Sequence, residues 1–297
     1  MAIQTTAYRG RFAPSPSGPL HFGSLVAALG SYLDARCNQG TWLVRIEDLD
    51  PPREKPGAAD DILRTLEAFG FEWDGGIIYQ SQRLAAYQEA LRELKSQQIA
   101  YPCACTRREI NEAGSAGLEG TRYPGTCRGG LSANRPALAV RVRTQDDPIR
   151  FSDLICGRIE QNLEKQIGDF LIRRSDGLFA YQLAVVIDDA FQDITRIVRG
   201  TDLLVSTPRQ IYLQRLLALP TPAYAHLPLV LNSQGQKLSK QDGARPVLKE
   251  NPLPALLAAL EFLNQPLPLE PPADLEEFWS WALSHWHIKN IQTNQKV

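Results

Sequence analysis

The stretch Arg11-Phe-Ala-Pro-Ser-Pro-Ser-Gly-Pro-Leu-His21-Phe-Gly23-Ser24 decides the fold. Residues 8–13 read as a short strand. The Pro/Ser/Gly run from Pro14 to Pro19 ends it, and a helix is expected from about Gly23 to Cys37, with Leu25, Leu29, Tyr32 and Leu33 on one face. A strand that turns tightly into a helix presents unpaired N–H groups and the positive end of the helix dipole, a natural seat for phosphate. Gly23 would let backbone approach a nucleotide closely, and His21 could donate to phosphate oxygens. A loop with one histidine is also common as plain structure, so spacing alone leaves both readings open.

Working outward, Thr41–Ile46 reads as a strand that ends in the acidic run Glu47-Asp48-Leu49-Asp50. Residues 58–69 form an amphipathic helix through Ile62, Leu63, Leu66 and Phe69, stopped by Gly70. A second helix, over about 82–98, carries Leu84, Tyr87, Leu91 and Leu94. Strands alternating with helices argue for an α/β fold with a Rossmann-like, doubly wound parallel sheet. The texture changes near residue 100. Residues 101–136 are rich in Cys, Arg, Gly and Pro, and short β-like runs follow at 137–142 and 149–151. Alternation resumes near Asp169 and includes the apolar run Leu183–Ile187. A helix is expected over 208–219, then a loop from 226, then two helical stretches. The last of these, about 274–287, holds Trp279, Trp281 and Trp286, read as core packing. The expected organisation is a catalytic domain over 1–100 and 169–225, an inserted module over 101–168, and a loop with a small helical region over 226–297.

The 297 residues carry a net charge of −1, so RNA contact must come from local patches. Residues 101–150 are such a patch, with eight arginines against five acids, although a solvated face explains that charge equally well. No apolar run approaches the roughly 18 residues needed to span a bilayer, and no membrane partner is expected. The first residues, MAIQTTAYRGRF, lack the apolar segment of a signal peptide. Five cysteines, an odd number, suit reduced thiols in the cytoplasm.

Further along, Lys237-Leu-Ser239-Lys240-Gln241 follows Asn-Ser-Gln-Gly. Two lysines three apart in a polar loop can bring two ammonium groups to a triphosphate, or they can be an ordinary solvated loop. Together with the first site they resemble the two signatures of class I aminoacyl-tRNA synthetases. His21-Phe-Gly23-Ser24 is similar to the "HIGH" element, with Ser24 in place of its second histidine, and Lys237–Gln241 is similar to "KMSKS". Arg11–Gly18, Val44-Arg-Ile-Glu-Asp-Leu-Asp50, Val198-Arg-Gly-Thr-Asp202 and Thr207-Pro-Arg-Gln210 resemble the glutamyl-tRNA synthetase family in particular. Such an ordered set over about 230 residues is highly specific. Only 57 residues follow Lys240, too few for the anticodon-binding region of full-length members. The chain therefore resembles the family's short paralogues, which activate glutamate without tRNA and transfer it to queuosine at the wobble position of tRNA(Asp).

That resemblance implies site residues. L-glutamate would bind along Arg11, Phe12, Ala13, Pro14 and Ser15, and at Glu47, Tyr181 and Arg199. ATP, with its Mg²⁺, would bind at His21, Gly23, Ser24, Lys237, Ser239 and Lys240, and His21, Lys237 and Lys240 would be catalytic. The chemistry is apt, because Arg11 and Arg199 offer planar forks for carboxylates and Glu47 suits an α-ammonium. Each also has a plain reading: a surface acid, a structural ion pair, a core tyrosine.

Cys103-Ala-Cys105 and Tyr123-Pro-Gly-Thr-Cys127 form the third cluster. Zinc takes four N, S or O ligands in a tetrahedron. Three thiolates are present, and the four histidines, at 21, 226, 285 and 287, all lie far away in sequence. By elimination Tyr123 is the candidate fourth ligand, while three free thiols is the competing reading. The short paralogues carry this pattern as a structural Zn²⁺ site, so one is implied here. Cys37 and Cys156 are read as packing residues, and a monomer is expected. The competing functions are a truncated glutamyl-tRNA synthetase charging tRNA(Glu), a small-molecule nucleotidyltransferase or ligase of the same fold, and an RNA-binding module without catalysis.

Overall fold

The computed structural model describes residues 7–132, 135–137, 139–231 and 245–292. Strand β1 (Arg9–Phe12) pairs in parallel with β2 (Thr41–Ile46), which pairs in parallel with the short β3 (Ile78–Tyr79). Helices α1 (Phe22–Cys37) and α2 (Ala58–Ala68) lie in the connections between these strands. After α3 (Leu84–Ser96) come β4 (Ala100–Cys103), α4 (Arg107–Ala113) and a hairpin of β5 (Ser115–Gly117) and β6 (Gly120–Arg122). Strands β7 (Ala139–Val142), β8 (Ile149–Asp153) and β9 (Gly157–Gln161), helix α5 (Leu163–Gln166) and strand β10 (Phe170–Arg173) complete the middle of the chain. Then follow α6 (Tyr181–Phe191), β11 (Arg196–Gly200), α7 (Thr207–Leu216), β12 (Ala223–Leu227), α8 (Leu253–Phe262) and α9 (Leu275–His285).

Strands β11 and β12 are parallel, and β8 continues their sheet with β9 antiparallel at its edge. Thr195, just ahead of β11, donates its N–H to the Arg9 carbonyl at 3.0 Å and receives the Arg9 N–H on its hydroxyl at 2.9 Å. Strand β1 therefore lies beside β11. Side chains along the parallel strands alternate between two cores, as period-two geometry requires. Trp42, Val44, Ile46, Val198, Ala225 and Leu227 face the core shared with α1, α2, α8 and α9. Leu43, Ile197 and Tyr224 face the core shared with α3, α6 and α7. Helices on both faces of a parallel sheet are what the near-continuous apolar strands require. Helix α1 comes close to β12 at Gly30, where a Cβ would lie 2.8 Å from Leu227 Cδ1.

Strand β7 pairs antiparallel with both β4 and β10. This sheet adds to the second core through Ala100, Val140, Val142, Phe170 and Ile172.

Several local expectations are corrected. The segment from 226 begins as strand, not loop, because β12 draws its order from β11 and β8 on either side. The run Leu183–Ile187 lies inside helix α6. Cys37 is exposed at the end of α1, and Trp281 is only half-buried, stacked on His285 with ring centroids 3.7 Å apart. Buried Asp188 in α6 accepts from Gln80, Arg83 and Tyr87 at 2.7, 2.6 and 2.6 Å. It ties α6 to the start of α3, a role its sequence position does not announce.

Candidate functional site

The turn between β1 and α1 opens onto a cavity of about 430 Å³. Its walls include Phe12, Pro14, Ser15, His21, Gly23 and Ser24 from that turn, and Gly200, Asp202 and Leu227–Val230 from the ends of β11 and β12. The position is the C-terminal edge of the parallel strands, where α/β sheets bind ligands. His21 caps α1. Its Nδ1 accepts the Ser24 N–H at 3.3 Å, and its Nε2 lies 3.2 Å from the Ser24 hydroxyl. The ring folds back over Gly23, where a Cβ would stand 3.2 Å from His21 Cε1, so a larger residue would crowd it. Glu47 donates its backbone N–H to the Pro14 carbonyl at 3.0 Å, which holds the loop carrying Ala13, Pro14 and Ser15 against the end of β2. Phe12 stacks on Trp42 and is largely buried.

Behind this loop lies a group of charged side chains. Arg11 and Arg45 both meet Asp189, at 3.0 and 2.9 Å, and Arg45 also reaches Glu47 Oε1 at 3.2 Å. Burial opposes ionisation of Asp189, but Arg11 and Arg45 outweigh it and hold the carboxyl below its usual range. Burial pushes the Glu47 carboxyl up, against the pull of Arg45 and Arg11. The Tyr181 hydroxyl is pushed up by burial and feels the charges of Arg199, Glu47, Arg11 and Asp189. Arg11, Glu47, Tyr181 and Arg199, expected together from sequence, are thus neighbours. Arg45 and Asp189, which brace them, were not singled out.

Arg199 differs from the other two arginines. It is 5% exposed, and its partners are all neutral groups: His226 Nε2 at 3.2 Å, Thr207 and Gln210 at 2.8 Å, the Leu203 carbonyl at 3.5 Å and the Tyr181 hydroxyl at 3.4 Å. Among the described residues no carboxylate pairs with it. A buried cation without a counter-ion is costly, and such sites favour an anionic ligand.

A second cavity, of about 750 Å³, lies between the β5–β6 hairpin and the ends of β10, α6 and α7. Six arginines line it, at 53, 107, 122, 141, 174 and 209, and Arg53 borders both cavities. Cys105 and Tyr123 also line the second cavity, and the thiols of Cys103, Cys105 and Cys127 gather within 4.8 Å of one another. Cys105 and Cys127 Sγ are 3.5 Å apart, and the Tyr123 hydroxyl lies 3.4 Å from Cys103 Sγ and 3.7 Å from Cys105 Sγ. Zinc–sulfur bonds of about 2.3 Å imply tetrahedral edges of about 3.8 Å, and slightly less to oxygen. The Cys105–Cys127, Tyr123–Cys103 and Tyr123–Cys105 separations match such edges. Lys237, Ser239 and Lys240 lie outside the described residues. Described residues near either end of that segment meet the His21 turn: Val230 lines its cavity, and Val247 donates to the Leu20 carbonyl at 3.0 Å beside an isolated bridge between His21 and Pro246.

A parallel α/β sheet with a phosphate-suited turn at its C-terminal edge and a buried charged group behind that turn suits a ligand that carries both phosphate and carboxylate groups. The family described as tRNA synthetases class I (E and Q), catalytic domain, matches residues 7–252. A glutamyl-Q tRNA(Asp) synthetase from Dechloromonas aromatica is 57% identical over 94% of this chain and 94% of its own. One from Neisseria meningitidis is 55% identical over 96% and 97%. Among solved structures, a glutamate tRNA ligase from Elizabethkingia meningosepticum in complex with its amino acid superposes with a TM-score of 0.78 at 25% identity. The match covers 97% of this chain and 66% of that one. The chain belongs to the class I tRNA synthetase (E and Q) family, and within it to the branch whose members are named glutamyl-Q tRNA(Asp) synthetase.

Proposed function

We propose that this protein activates L-glutamate with ATP in the absence of tRNA, and transfers it to queuosine at the wobble position of tRNA(Asp). The observation that carries the amino-acid assignment is Arg199: a buried guanidinium held by neutral groups, beside Tyr181 and Glu47, suits the side-chain carboxylate of glutamate. Glutamine would leave that charge unanswered. Glu47 keeps Oε2 without a hydrogen-bond partner among the described residues and suits the α-ammonium. In the reaction, an oxygen of the α-carboxylate attacks the α-phosphorus of ATP, the bond to the bridging oxygen breaks, and pyrophosphate leaves. Lys237 and Lys240 would stabilise the leaving group and His21 the phosphates, so catalysis is positioning and charge stabilisation. The acceptor then attacks the mixed anhydride and AMP departs. Relatives that match over nearly their whole length favour queuosine as acceptor over a tRNA 3′ end. The test is incubation with labelled glutamate, ATP and bulk tRNA from cells with and without queuosine. Label is expected only in the queuosine-containing pool, and equal labelling of both would overturn the assignment.

The second cavity suits the acceptor RNA. Arg107 and Arg122 have no carboxylate partner among the described residues, and Arg53 links that cavity to the ATP site. Reversing Arg107 and Arg122 to Glu is expected to reduce transfer to tRNA at least tenfold, and to make the salt dependence of RNA binding shallower by about one for each phosphate that is no longer neutralised. Glutamate-dependent pyrophosphate exchange should persist. Loss of both activities together would count against an RNA-docking role.

Cys103, Cys105, Cys127 and Tyr123 suit one structural Zn²⁺, which would fasten the end of β4 to the loop after β6. The Tyr123 hydroxyl is pushed far up by burial and by the neighbouring thiol of Cys103. It would yield its proton only to a cation. Cys105→Ser is expected to weaken zinc binding by more than the roughly 10–100-fold typical of losing a supporting partner, read as metal content after dialysis against a chelator. Full retention of zinc by a Cys103→Ala/Cys127→Ala protein would refute the site.

A further inference from the structure

Behind Arg199, His226 and Asp153 form a chain that lies outside every sequence signature and has no step in the proposed mechanism. Arg199 on β11 and His226 on β12 are direct partners in the parallel register. The Arg199 Nε–H points at His226 Nε2, 3.2 Å away, so that nitrogen must offer a lone pair. The other nitrogen, Nδ1, lies 2.6 Å from Asp153 Oδ2 and therefore carries the proton it donates. Asp153 is fixed in turn. Its Oδ1 accepts the backbone N–H groups of Ile155, Cys156 and His226 at 3.0, 2.8 and 3.2 Å. Both side chains are fully shielded from solvent. On the other edge of Arg199, Nη2 is held by Thr207 and Gln210 in the first turn of α7. Of the guanidinium nitrogens, Nη1 alone is left facing Tyr181.

We propose that His226 is a positioning residue that aims Arg199 while leaving its charge uncancelled, with the Asp153 carboxylate kept one ring away, and so sets the preference for a dicarboxylic amino acid over its amide. This rests on Arg199 binding the glutamate side chain. A carboxylate in direct contact with Arg199 would satisfy the geometry equally well but would neutralise the cation that the substrate must find. A neutral imidazole accepts the same N–H without that loss, and Asp153 selects the tautomer that can accept. Burial and the adjoining Arg199 cation both disfavour a second proton on the ring, against the pull of Asp153 and Asp202. Burial opposes the charge on Asp153 itself, but the His226 ring and the backbone N–H groups outweigh it.

The experiment measures glutamate-dependent and glutamine-dependent pyrophosphate exchange without tRNA in four proteins: wild type, His226→Leu, His226→Gln and Arg199→Leu. His226→Leu is expected to raise the KM for glutamate at least tenfold, more than it lowers kcat, with the KM for ATP within twofold of wild type. His226→Gln keeps an acceptor for Arg199 and a donor for Asp153, and should recover most of that loss. An unchanged glutamate KM in His226→Leu, or a Gln variant no better than Leu, would overturn the inference while Arg199→Leu remained defective. If Arg199→Leu also binds glutamate normally, the reading of Arg199 falls and this inference with it. Should His226→Leu not fold, nitrogen NMR of the wild-type imidazole decides. A neutral ring protonated at Nδ1 at pH 7 is expected, and an imidazolium or an Nε2–H ring would overturn the inference.

Discussion

Replacing Lys240 with alanine is expected to slow glutamate-dependent pyrophosphate exchange by about 10²–10³-fold, or about 3–4 kcal/mol of transition-state stabilisation, with glutamate affinity nearly unchanged. The size follows from where charge develops. As the bond to the bridging oxygen breaks, negative charge accumulates on pyrophosphate, and an ammonium placed there acts more strongly on the transition state than on ATP. The loss should therefore fall on kcat more than on the KM for glutamate. Lys240 belongs to a segment outside the described residues. Its family signature would bring it to the phosphates, and Val230 and Val247, near either end of the segment, meet the His21 turn. A Lys240→Ala protein that turns over at the wild-type rate would contradict the role. A tenfold rise in glutamate KM at constant kcat would instead assign Lys240 to ground-state binding.

The elements that could be read from sequence were those whose local pattern carries their own cause. Strands β1 and β2 and helices α1, α2 and α3 have clear apolar patterns, with Pro or Gly next to all of them but α3, and they form within a residue or two of expectation. Strand β12 did not signal itself. Its five residues include a histidine and sit between prolines, and only pairing with β11 and β8 makes them extended. The same division runs through the site. Residues in contiguous motifs, such as His21 with Gly23 and Ser24, or Cys103 with Cys105, were visible because one short segment places them. Asp153, Asp189 and His226 come from three separate elements, and each looks like an ordinary polar residue until the fold sets Asp189 beside Arg11, His226 beside Arg199, and Asp153 behind His226. Asp189 is the clearest case. An acid in a helix is usually a solvated face, yet here Arg11 and Arg45 converge on it from two neighbouring strands. Long-range electrostatic partners leave no spacing signal, so the supporting charges behind a motif are systematically harder to find than the motif.

Replacing Arg199 with leucine is expected to lower kcat/KM for glutamate by about 2–5 kcal/mol, the range for truncating one member of a buried, hydrogen-bonded charge pair. That is roughly thirtyfold to several thousandfold. The effect on glutamine should be much smaller, because glutamine never supplies the charge that Arg199 lacks. Discrimination between the two amino acids should therefore collapse from the glutamate side, with no gain in glutamine activation needed. Stability alone would be a poor witness. The substitution removes a desolvated cation, which favours the folded state, and it also removes hydrogen bonds to His226, Thr207 and Gln210, which does the reverse. The ligand-induced change separates these. Glutamate at 100 times its Kd should stabilise the wild-type protein by about 2.7 kcal/mol, seen as a rise in Tm, and the same glutamate concentration should stabilise Arg199→Leu by about 0.9 kcal/mol or less. A variant that keeps the full glutamate-induced rise would mean that the side-chain carboxylate binds elsewhere, with Arg11 the next guanidinium to test. Arg11 starts from a weaker position, since Asp189 already answers its charge at 3.0 Å, and an incoming carboxylate would have to share it.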